Sequence, residues 1–232
     1  MLAFVVATGA LIVAGAAWLQ SRTALNELRT ALRATGADSA RANTAAIIEL
    51  AGTPTLGSAD AAVALVEFSD YQCPYCMRHF RQTMPQIVTD YINTGKIRYA
   101  FRDWPVDQLH PQAIRAHEAA HCAGEQKQYW AMHGRLFGPS GSHTPERLLD
   151  LARELGLNLG TFEACIASGR AAPAIRAMGE MATDFGASGT PAFFIGLHDK
   201  TTERVTVLSA LAGAQEYAVF ARAIDEVLAK TK

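Results

Sequence analysis

The sequence lacks an excess of charge of either sign, and it has no cluster of basic residues. Its 21 lysine and arginine residues nearly balance 22 aspartate and glutamate residues, and the formal net charge is -1 at pH 7. Proteins that bind nucleic acid draw much of their affinity from basic side chains that neutralise phosphates. The composition therefore argues against a nucleic-acid partner, and against charge-driven attachment to an anionic membrane surface.

Cysteine is also scarce, with four residues in a chain of 232. Only Cys73 and Cys76 are close in sequence, whereas Cys122 and Cys165 stand apart. An even number of cysteines is compatible with an oxidising compartment, and four cysteines allow three pairings. A structural zinc site would need two more ligands at matching spacing beside Cys73 and Cys76, and the two isolated cysteines do not provide that pattern.

Charge is absent from residues 2–19, which are rich in alanine, valine and leucine. An uncharged run of this length can just span a bilayer as a helix. A cleaved signal peptide is the alternative, with 14–16 as a small-residue cleavage site. Because arginines follow the run rather than precede it, the positive-inside rule disfavours export of the rest of the chain. We expect residues 1–20 to be a signal anchor or signal peptide that contacts the membrane; a buried core helix is the remaining alternative.

The rest of the chain divides into a linker and an α/β domain. Residues 21–56 combine a short amphipathic helix with a stretch rich in small residues, and they are predicted to form a stalk or linker. Residues 57–232 alternate predicted strands and helices, with a long helical block at about 105–186. The predicted strands are 62–68, 96–101, 192–195 and 204–208, and the flanking helices are 74–93 and 214–230. This order predicts an α/β fold that is interrupted by a helical insertion.

The motif Cys73-Pro74-Tyr75-Cys76 lies where the first strand gives way to a helix. Proline is favoured at the first helical position, which makes Cys73 the predicted N-cap. The unpaired N–H groups and the helix dipole at this end stabilise a thiolate, the reactive form of cysteine. Cys76 follows one turn later on the same face. We therefore expect Cys73 to be an exposed attacking thiol and Cys76 a buried resolving thiol, which together exchange disulfides through a mixed disulfide.

Two segments resemble the DsbA-like thioredoxin-fold proteins. Val66-Glu67-Phe68-Ser69-Asp70-Tyr71-Gln72-Cys73-Pro74-Tyr75-Cys76 is similar to their active-site strand and helix, and Gly189-Thr190-Pro191-Ala192-Phe193-Phe194-Ile195 is similar to their cis-proline loop and the strand after it. The resemblance covers roughly residues 57–228. It implies a thioredoxin-like fold with a helical insertion, thiol–disulfide exchange with exported protein clients, and no cofactor. It also implies a periplasmic or extracytoplasmic location and a membrane redox partner that is DsbB-like or DsbD-like.

The same resemblance implies roles for three residues around the cysteines. Pro191 is expected to be the cis-proline that faces the disulfide, and the backbone of Thr190 is expected to pair with an extended client segment. Glu67 is expected to lie beneath the active site and to exchange protons with Cys76, because a carboxylate in an apolar strand is costly to bury without a function. An acid at a strand edge that faces water is the alternative for Glu67.

Two features of the predicted insertion leave alternatives open. Exported relatives in the family carry a second cysteine pair there, so Cys122 and Cys165 are expected to form a structural disulfide; two buried free cysteines are the alternative. His117, Glu118 and His121 form an H-E-x-x-H pattern on a predicted helix. That pattern is typical of zinc peptidases, but the third histidine of the longer motif is missing. We expect no metal and two exposed helix histidines.

The direction of the chemistry also stays open. The Pro-Tyr pair between the cysteines occurs in glutaredoxins as well as in some DsbA-like proteins. Thr190 before the cis-proline resembles the isomerase branch more than the strongest oxidants. A disulfide isomerase or reductase is therefore the first alternative to an oxidant. A thiol-based copper-transfer module, which would bind Cu(I) through Cys73 and Cys76 without turnover of dithiols, is the second.

Overall fold

A computed structural model of the chain describes residues 46–138 and 141–231. The predicted membrane segment, residues 1–20, lies outside the described residues, as does the predicted stalk up to residue 45. No helix in the described part of the chain is both long and apolar enough to cross a membrane.

The described residues contain a six-stranded mixed sheet with the order β1-β6-β5-β3-β4-β2. At its centre, β3 pairs in parallel with β4 and antiparallel with β5. All seven residues of β3 are buried, as expected for a strand that is covered on both faces. The strands are β1 (Ile47–Glu49), β2 (Thr55–Gly57), β3 (Val63–Ser69), β4 (Arg98–Asp103), β5 (Ala192–Asp199) and β6 (Arg204–Ala212).

Helices cover both faces of the sheet, and α3 to α7 form the predicted insertion between β4 and β5. Because side chains alternate along a strand, Val63 and Leu65 of β3 enter the core beneath α1 and α8. Val66 and Phe68 enter the opposite core, which α7 contributes to. The helices are α1 (Pro74–Gln82), α2 (Met84–Ile87), α3 (Ala113–Glu125), α4 (Tyr129–Leu136), α5 (Pro145–Glu154), α6 (Leu159–Ser168), α7 (Ala172–Asp184) and α8 (Tyr217–Leu228).

The predicted linker is wrong at its C-terminal end. Strand β1 and the first two residues of β2 lie within the predicted linker at 21–56, and the two strands pair with β6 and β4. Ile48 and Leu50 are fully buried in the core of the sheet. Each of these edge strands has only three residues, which is too short to show a two-residue alternation above the surrounding alanine, glycine and threonine.

The helix predicted over 74–93 is also not continuous. It ends at Gln82, resumes as the four residues of α2, and closes with a π-helical turn at Val88–Ile92. Pro85 lacks the N–H that would bond the carbonyl four residues earlier, and this weakens the helix at that point. The active-site cysteines therefore lie at the start of a helix of only nine residues.

Cys122 of α3 and Cys165 of α6 form a disulfide in the structure. The S–S distance is 1.96 Å, and the two Cα atoms are 5.8 Å apart. Both residues are buried. The bond joins two helices of the insertion across 43 residues of sequence.

Removing this disulfide should lower the free energy of unfolding. We expect Cys122→Ala/Cys165→Ala to lose roughly 2–4 kcal/mol, because a cross-link restricts the unfolded chain. Urea unfolding without reductant measures the loss, with Cys73 and Cys76 replaced by serine in every sample. Cys122→Ala alone should lose a similar amount, since either substitution breaks the bond. Equal unfolding midpoints for the double variant and the wild type would contradict a stabilising role.

Candidate active site

The loop before α1 is held in place by the buried carboxylate of Asp70. This carboxylate accepts hydrogen bonds from the Gln72 N–H at 2.7 Å and the Val106 N–H at 2.8 Å. It also contacts Nδ1 of His110 at 2.8 Å. The Asp70 carbonyl accepts from the Cys73 N–H at 3.1 Å. Asp70 thereby fixes the turn that presents Cys73 at the helix start.

The structure places Cys73 at the N-cap of α1, with Pro74 at the first helical position. Both thiols are free, and Cys76 is fully buried. Cys73 was expected to be exposed, and this is wrong: it is only 4% exposed. The loop that contains Thr190, which is distant in sequence, approaches Cys73. Sγ of Cys73 lies 3.5 Å from the carbonyl oxygen of Thr190. Tyr75, 57% exposed, marks the open side of the site.

The pKa values of the two thiols are shifted in opposite directions. A hydrogen bond from the Cys76 thiol lowers the pKa of Cys73 to about 6; burial opposes the shift, and the Thr190 side chain and the N–H groups of Cys76 and Tyr75 add to it. Burial raises the pKa of Cys76 well above 9, and its hydrogen bond to Cys73 adds to that rise. At pH 7 the site therefore holds a Cys73 thiolate beside a Cys76 thiol, which is the arrangement needed for one attacking and one resolving sulfur.

The loop that faces Cys73 contains a cis peptide bond between Thr190 and Pro191. It leads directly into β5, whose first residue Ala192 pairs with Phe68 near the end of β3. The Pro191 carbonyl accepts from the Gly213 N–H at 2.8 Å, which ties the loop to the end of β6. The sheet thus brings together two motifs that are more than a hundred residues apart in sequence.

Glu67 lies in β3 on the face that points toward α1, and it is 2% exposed. The Tyr99 hydroxyl donates a hydrogen bond of 2.8 Å to its Oε2. Burial raises the pKa of Glu67 to about 7, against the lowering effect of the nearby Ser69 hydroxyl and of the Tyr99 hydrogen bond. The alternative of a strand-edge acid facing water is therefore wrong. A carboxyl group that titrates near neutral pH can both take up and release a proton during catalysis.

The sequence interpretation missed His79, which also contacts this carboxyl group. Its Nε2 lies 3.6 Å from Oε2 of Glu67. The ring is buried against Phe193 and Phe220, with centroid distances of 4.4 and 5.0 Å. His79 follows Cys76 by three residues, so helical spacing places the two on one face of α1. That spacing is the signal that could have found it.

The H-E-x-x-H residues of α3 have structural partners. Nδ1 of His117 lies 2.5 Å from one carboxylate oxygen of Asp103, and Nε2 of His121 lies 2.6 Å from the other. Glu118 accepts a hydrogen bond from Arg115 at 3.0 Å. The expectation of two exposed histidines is wrong, since His117 is fully buried and the side chain of His121 is 27% exposed. Within residues 46–138 and 141–231, no group of three or more candidate ligands could hold a metal ion.

Comparisons with known proteins agree with this architecture. A family profile described as Thioredoxin matches residues 49–225. The crystal structure of alpha-DsbA1 from Wolbachia pipientis is similar with a TM-score of 0.65 at 25% identity, over 77% of this chain and 92% of that one. Disulfide bond formation protein D of Bacillus subtilis is 32% identical over 113 residues, which are 44% of this chain and 48% of that protein.

A third relative is much longer than this chain. The Na(+)/H(+) antiporter NhaA 1 of Salinispora arenicola is 35% identical over 165 residues. The match covers 68% of this chain but only 25% of the antiporter. The chain therefore spans about a quarter of the length of this curated relative.

Proposed function

We propose that this chain, which belongs to the thioredoxin family, is a thiol–disulfide oxidoreductase whose redox pair is Cys73 and Cys76 and whose clients are exported proteins. One observation carries the proposal. A low-pKa thiol at the N-terminus of α1 and a high-pKa thiol one turn later lie against the cis Thr190–Pro191 loop. Two such sulfurs can form, pass on and regain a disulfide without a cofactor.

The proposed exchange has two steps. In the first, a client thiolate attacks Sγ of Cys73 in the enzyme disulfide; the client–Cys73 bond forms, the Cys73–Cys76 bond breaks, and Cys76 leaves with the electron pair. Since burial disfavours a thiolate at Cys76, the protonated carboxyl of Glu67 supplies a proton to it. In the second step, another client thiolate attacks the client sulfur of the mixed disulfide and releases Cys73 as a thiolate. The client loses two electrons and the enzyme gains them.

We propose that this exchange runs toward oxidation of the client. A pKa of about 6 means that the Cys73 thiolate is stabilised in the reduced enzyme. Stabilising the reduced form makes the corresponding disulfide a stronger oxidant. Isomerase or reductase activity would instead require an upstream electron donor that keeps Cys73 and Cys76 reduced.

We further propose a periplasmic or extracytoplasmic location, with residues 2–19 anchoring the chain in the membrane or directing its export. A membrane redox partner, DsbB-like for an oxidant, would restore the Cys73–Cys76 disulfide. The second disulfide, between Cys122 and Cys165, supports this location because such bonds persist mainly in oxidising compartments.

The test is the reduction potential of the Cys73–Cys76 pair, combined with transfer of its disulfide to a reduced, unfolded secreted protein. We expect stoichiometric transfer and a potential less negative than about -200 mV, in the range of protein disulfide isomerase or above. A potential near that of thioredoxin, about -270 mV, would contradict the oxidant and favour a reductase.

Thr190→Val should make the enzyme a weaker oxidant. The side chain of Thr190 helps to lower the pKa of Cys73, and valine has a similar shape but cannot donate a hydrogen bond to the thiolate. Each unit by which the pKa of Cys73 rises should make the reduction potential about 30 mV more negative.

Equilibration of Thr190→Val with glutathione measures the reduction potential, and the rate of client release is followed in the same samples. Thr183→Val in α7 is the control; an unchanged potential and unchanged client release in Thr190→Val would remove Thr190 from the redox site.

A further inference from the structure

The exchange steps leave the imidazole of His79 without a role, although it lies in the centre of the site. Both of its ring nitrogens are buried and have no hydrogen-bond partner among the residues that the structure describes. A buried polar group without a partner lowers stability. Phe193 and Phe220 pack against the ring, so phenylalanine at position 79 would suit the same space better. Packing alone therefore does not explain a histidine here.

The position of His79 relative to Glu67 suggests what the imidazole does. The 3.6 Å between Nε2 and Oε2 is slightly longer than a hydrogen bond, and a small side-chain movement would close it. A neutral imidazole has one nitrogen that donates and one that accepts, and a change of tautomer exchanges the two roles. Such a ring can accept a hydrogen bond from a protonated carboxyl and donate one to an ionised carboxylate.

We propose that His79 is a positioning residue that holds the Glu67 carboxyl in both of its protonation states by changing tautomer as the proton moves to or from Cys76. The proposal rests on the proposed function, in which Glu67 exchanges a proton with Cys76. His79 itself stays neutral throughout. It neither contacts the client nor carries the proton.

The surroundings of the pair support this division of roles. Burial lowers the pKa of His79 to about 3, so the ring is uncharged at working pH. The titratable or polar groups that face the pair are Ser69 from β3, Tyr99 from β4, Tyr129 from α4, and Cys73 and Cys76 from α1. From β5 and α8, Phe193 and Phe220 pack on the ring. Burial keeps the pKa values of both tyrosines well above 10, so among these groups Glu67 and Cys73 are the ones that titrate near neutral pH.

A measurement without mutation tests the tautomer change directly. In the reduced full-length chain, carbon-13 chemical shifts follow the Glu67 carboxyl and nitrogen-15 shifts follow the His79 ring between pH 5 and 9. Glu67→Gln identifies the carboxyl signal. We expect His79 to stay neutral and its tautomer ratio to change with the same midpoint as Glu67. A tautomer ratio that is constant across this midpoint, or protonation of the ring, would overturn the proposal.

Variants then separate positioning from packing. His79→Phe should raise the Glu67 midpoint by about one pH unit, because the carboxylate loses a donor, while the melting temperature rises. His79→Gln keeps a donor and an acceptor and should restore the midpoint. The same shift should appear in the pH profile of enzyme reduction by dithiothreitol, corrected for the thiolate fraction of the reagent. A role in packing alone predicts no shift in either measurement.

The Glu67→Gln background distinguishes the two hypotheses. If Glu67→Gln leaves the pH profile of reduction unchanged, the proton-transfer role in the proposed function fails, and the role of His79 fails with it. If Glu67→Gln removes the ionisation near pH 7 but His79→Phe does not move it in the otherwise wild-type chain, only the inference about His79 is overturned. We expect His79→Phe to have no further effect on the profile once Glu67 is glutamine.

Discussion

Replacing Cys73 with serine should reduce disulfide exchange to the level without enzyme. In Cys76→Ser, the Cys73 thiolate should still attack the disulfide of an oxidised client, which is the reverse of the second exchange step, and then retain that client as a mixed disulfide. The difference follows from position and acidity. Cys73 is the N-cap thiol whose pKa is lowered to about 6, and Cys76 is fully buried with its pKa raised well above 9. Without the resolving thiol, the bond between the client and Cys73 has no intramolecular partner to break it.

Alkylation of the reduced wild-type chain at mildly acidic pH checks the same assignment independently. Iodoacetamide should label Cys73 well before Cys76, because only the thiolate reacts and the Cys73 thiol ionises at lower pH. Cys122 and Cys165 form a disulfide and should stay unlabelled, which provides an internal control. Equal labelling of the two active-site thiols, or faster labelling of Cys76, would show that the roles are reversed.

The parts of the site that could be predicted are those encoded by short stretches of sequence. Cys73, Pro74 and Cys76 specify a helix start through local backbone geometry, and this placement is what the structure shows. The continuous apolar run of β3 likewise predicts a buried strand, and the structure shows Glu67 buried within it. The insertion of five helices, α3 to α7, falls within the predicted boundaries for the same reason, since each helix carries its own periodicity.

The parts that could not be predicted depend on contacts between distant segments. The resemblance implied that the Thr190–Pro191 loop faces the cysteines, but no local pattern reveals that Cys73 is buried there. The edge strand β1 exists only because β6 offers a partner to three residues that would otherwise be linker. Helical spacing places His79 on the Cys76 face of α1, but its contact with Glu67 depends on where β3 lies. In each case the deciding contact spans at least twelve residues of sequence, beyond the reach of helix or strand periodicity.

Asp103 is a further case, and it bears on stability rather than on exchange. It ends β4, is buried, and contacts His117 and His121 of α3 through its two carboxylate oxygens. Burial would raise the pKa of Asp103, but the charge and hydrogen bond of His117, together with those of His121, lower it below 3.8. Burial would likewise lower the pKa of His121, but Asp103 raises it above 6.5. The carboxylate thus joins the sheet to the helical insertion.

The two shifts define the pH range in which this cluster stabilises the fold. An acid such as Asp103, whose pKa is lowered by folding, contributes its full stability above its unfolded pKa of about 3.9. That contribution is lost as the pH falls through its pKa in the folded protein. A histidine such as His121, whose pKa is raised by folding, contributes its full stability below its unfolded pKa of about 6.5. That contribution is lost as the pH rises through its pKa in the folded protein. Both contributions are therefore fully present only between about pH 4 and pH 6.5.

Asp103→Asn should consequently destabilise the protein strongly, and more at pH 5 than at pH 9. We expect a loss of about 3–5 kcal/mol in the free energy of unfolding at pH 5, because removing one partner leaves buried groups unpaired. The loss should be smaller at pH 9, because the contribution of His121 is lost as the pH rises through its raised pKa. Urea unfolding of the wild type and of Asp103→Asn at each pH measures this loss. Comparing the two free energies of unfolding at the same pH cancels the titration of Glu67 and Cys73.

Asp150→Asn, which breaks an exposed pair with Arg153, is the matched control and should change stability by less than about 1 kcal/mol. Equal losses at pH 5 and pH 9 would show that the ionisation of His121 contributes nothing to holding α3 on the sheet.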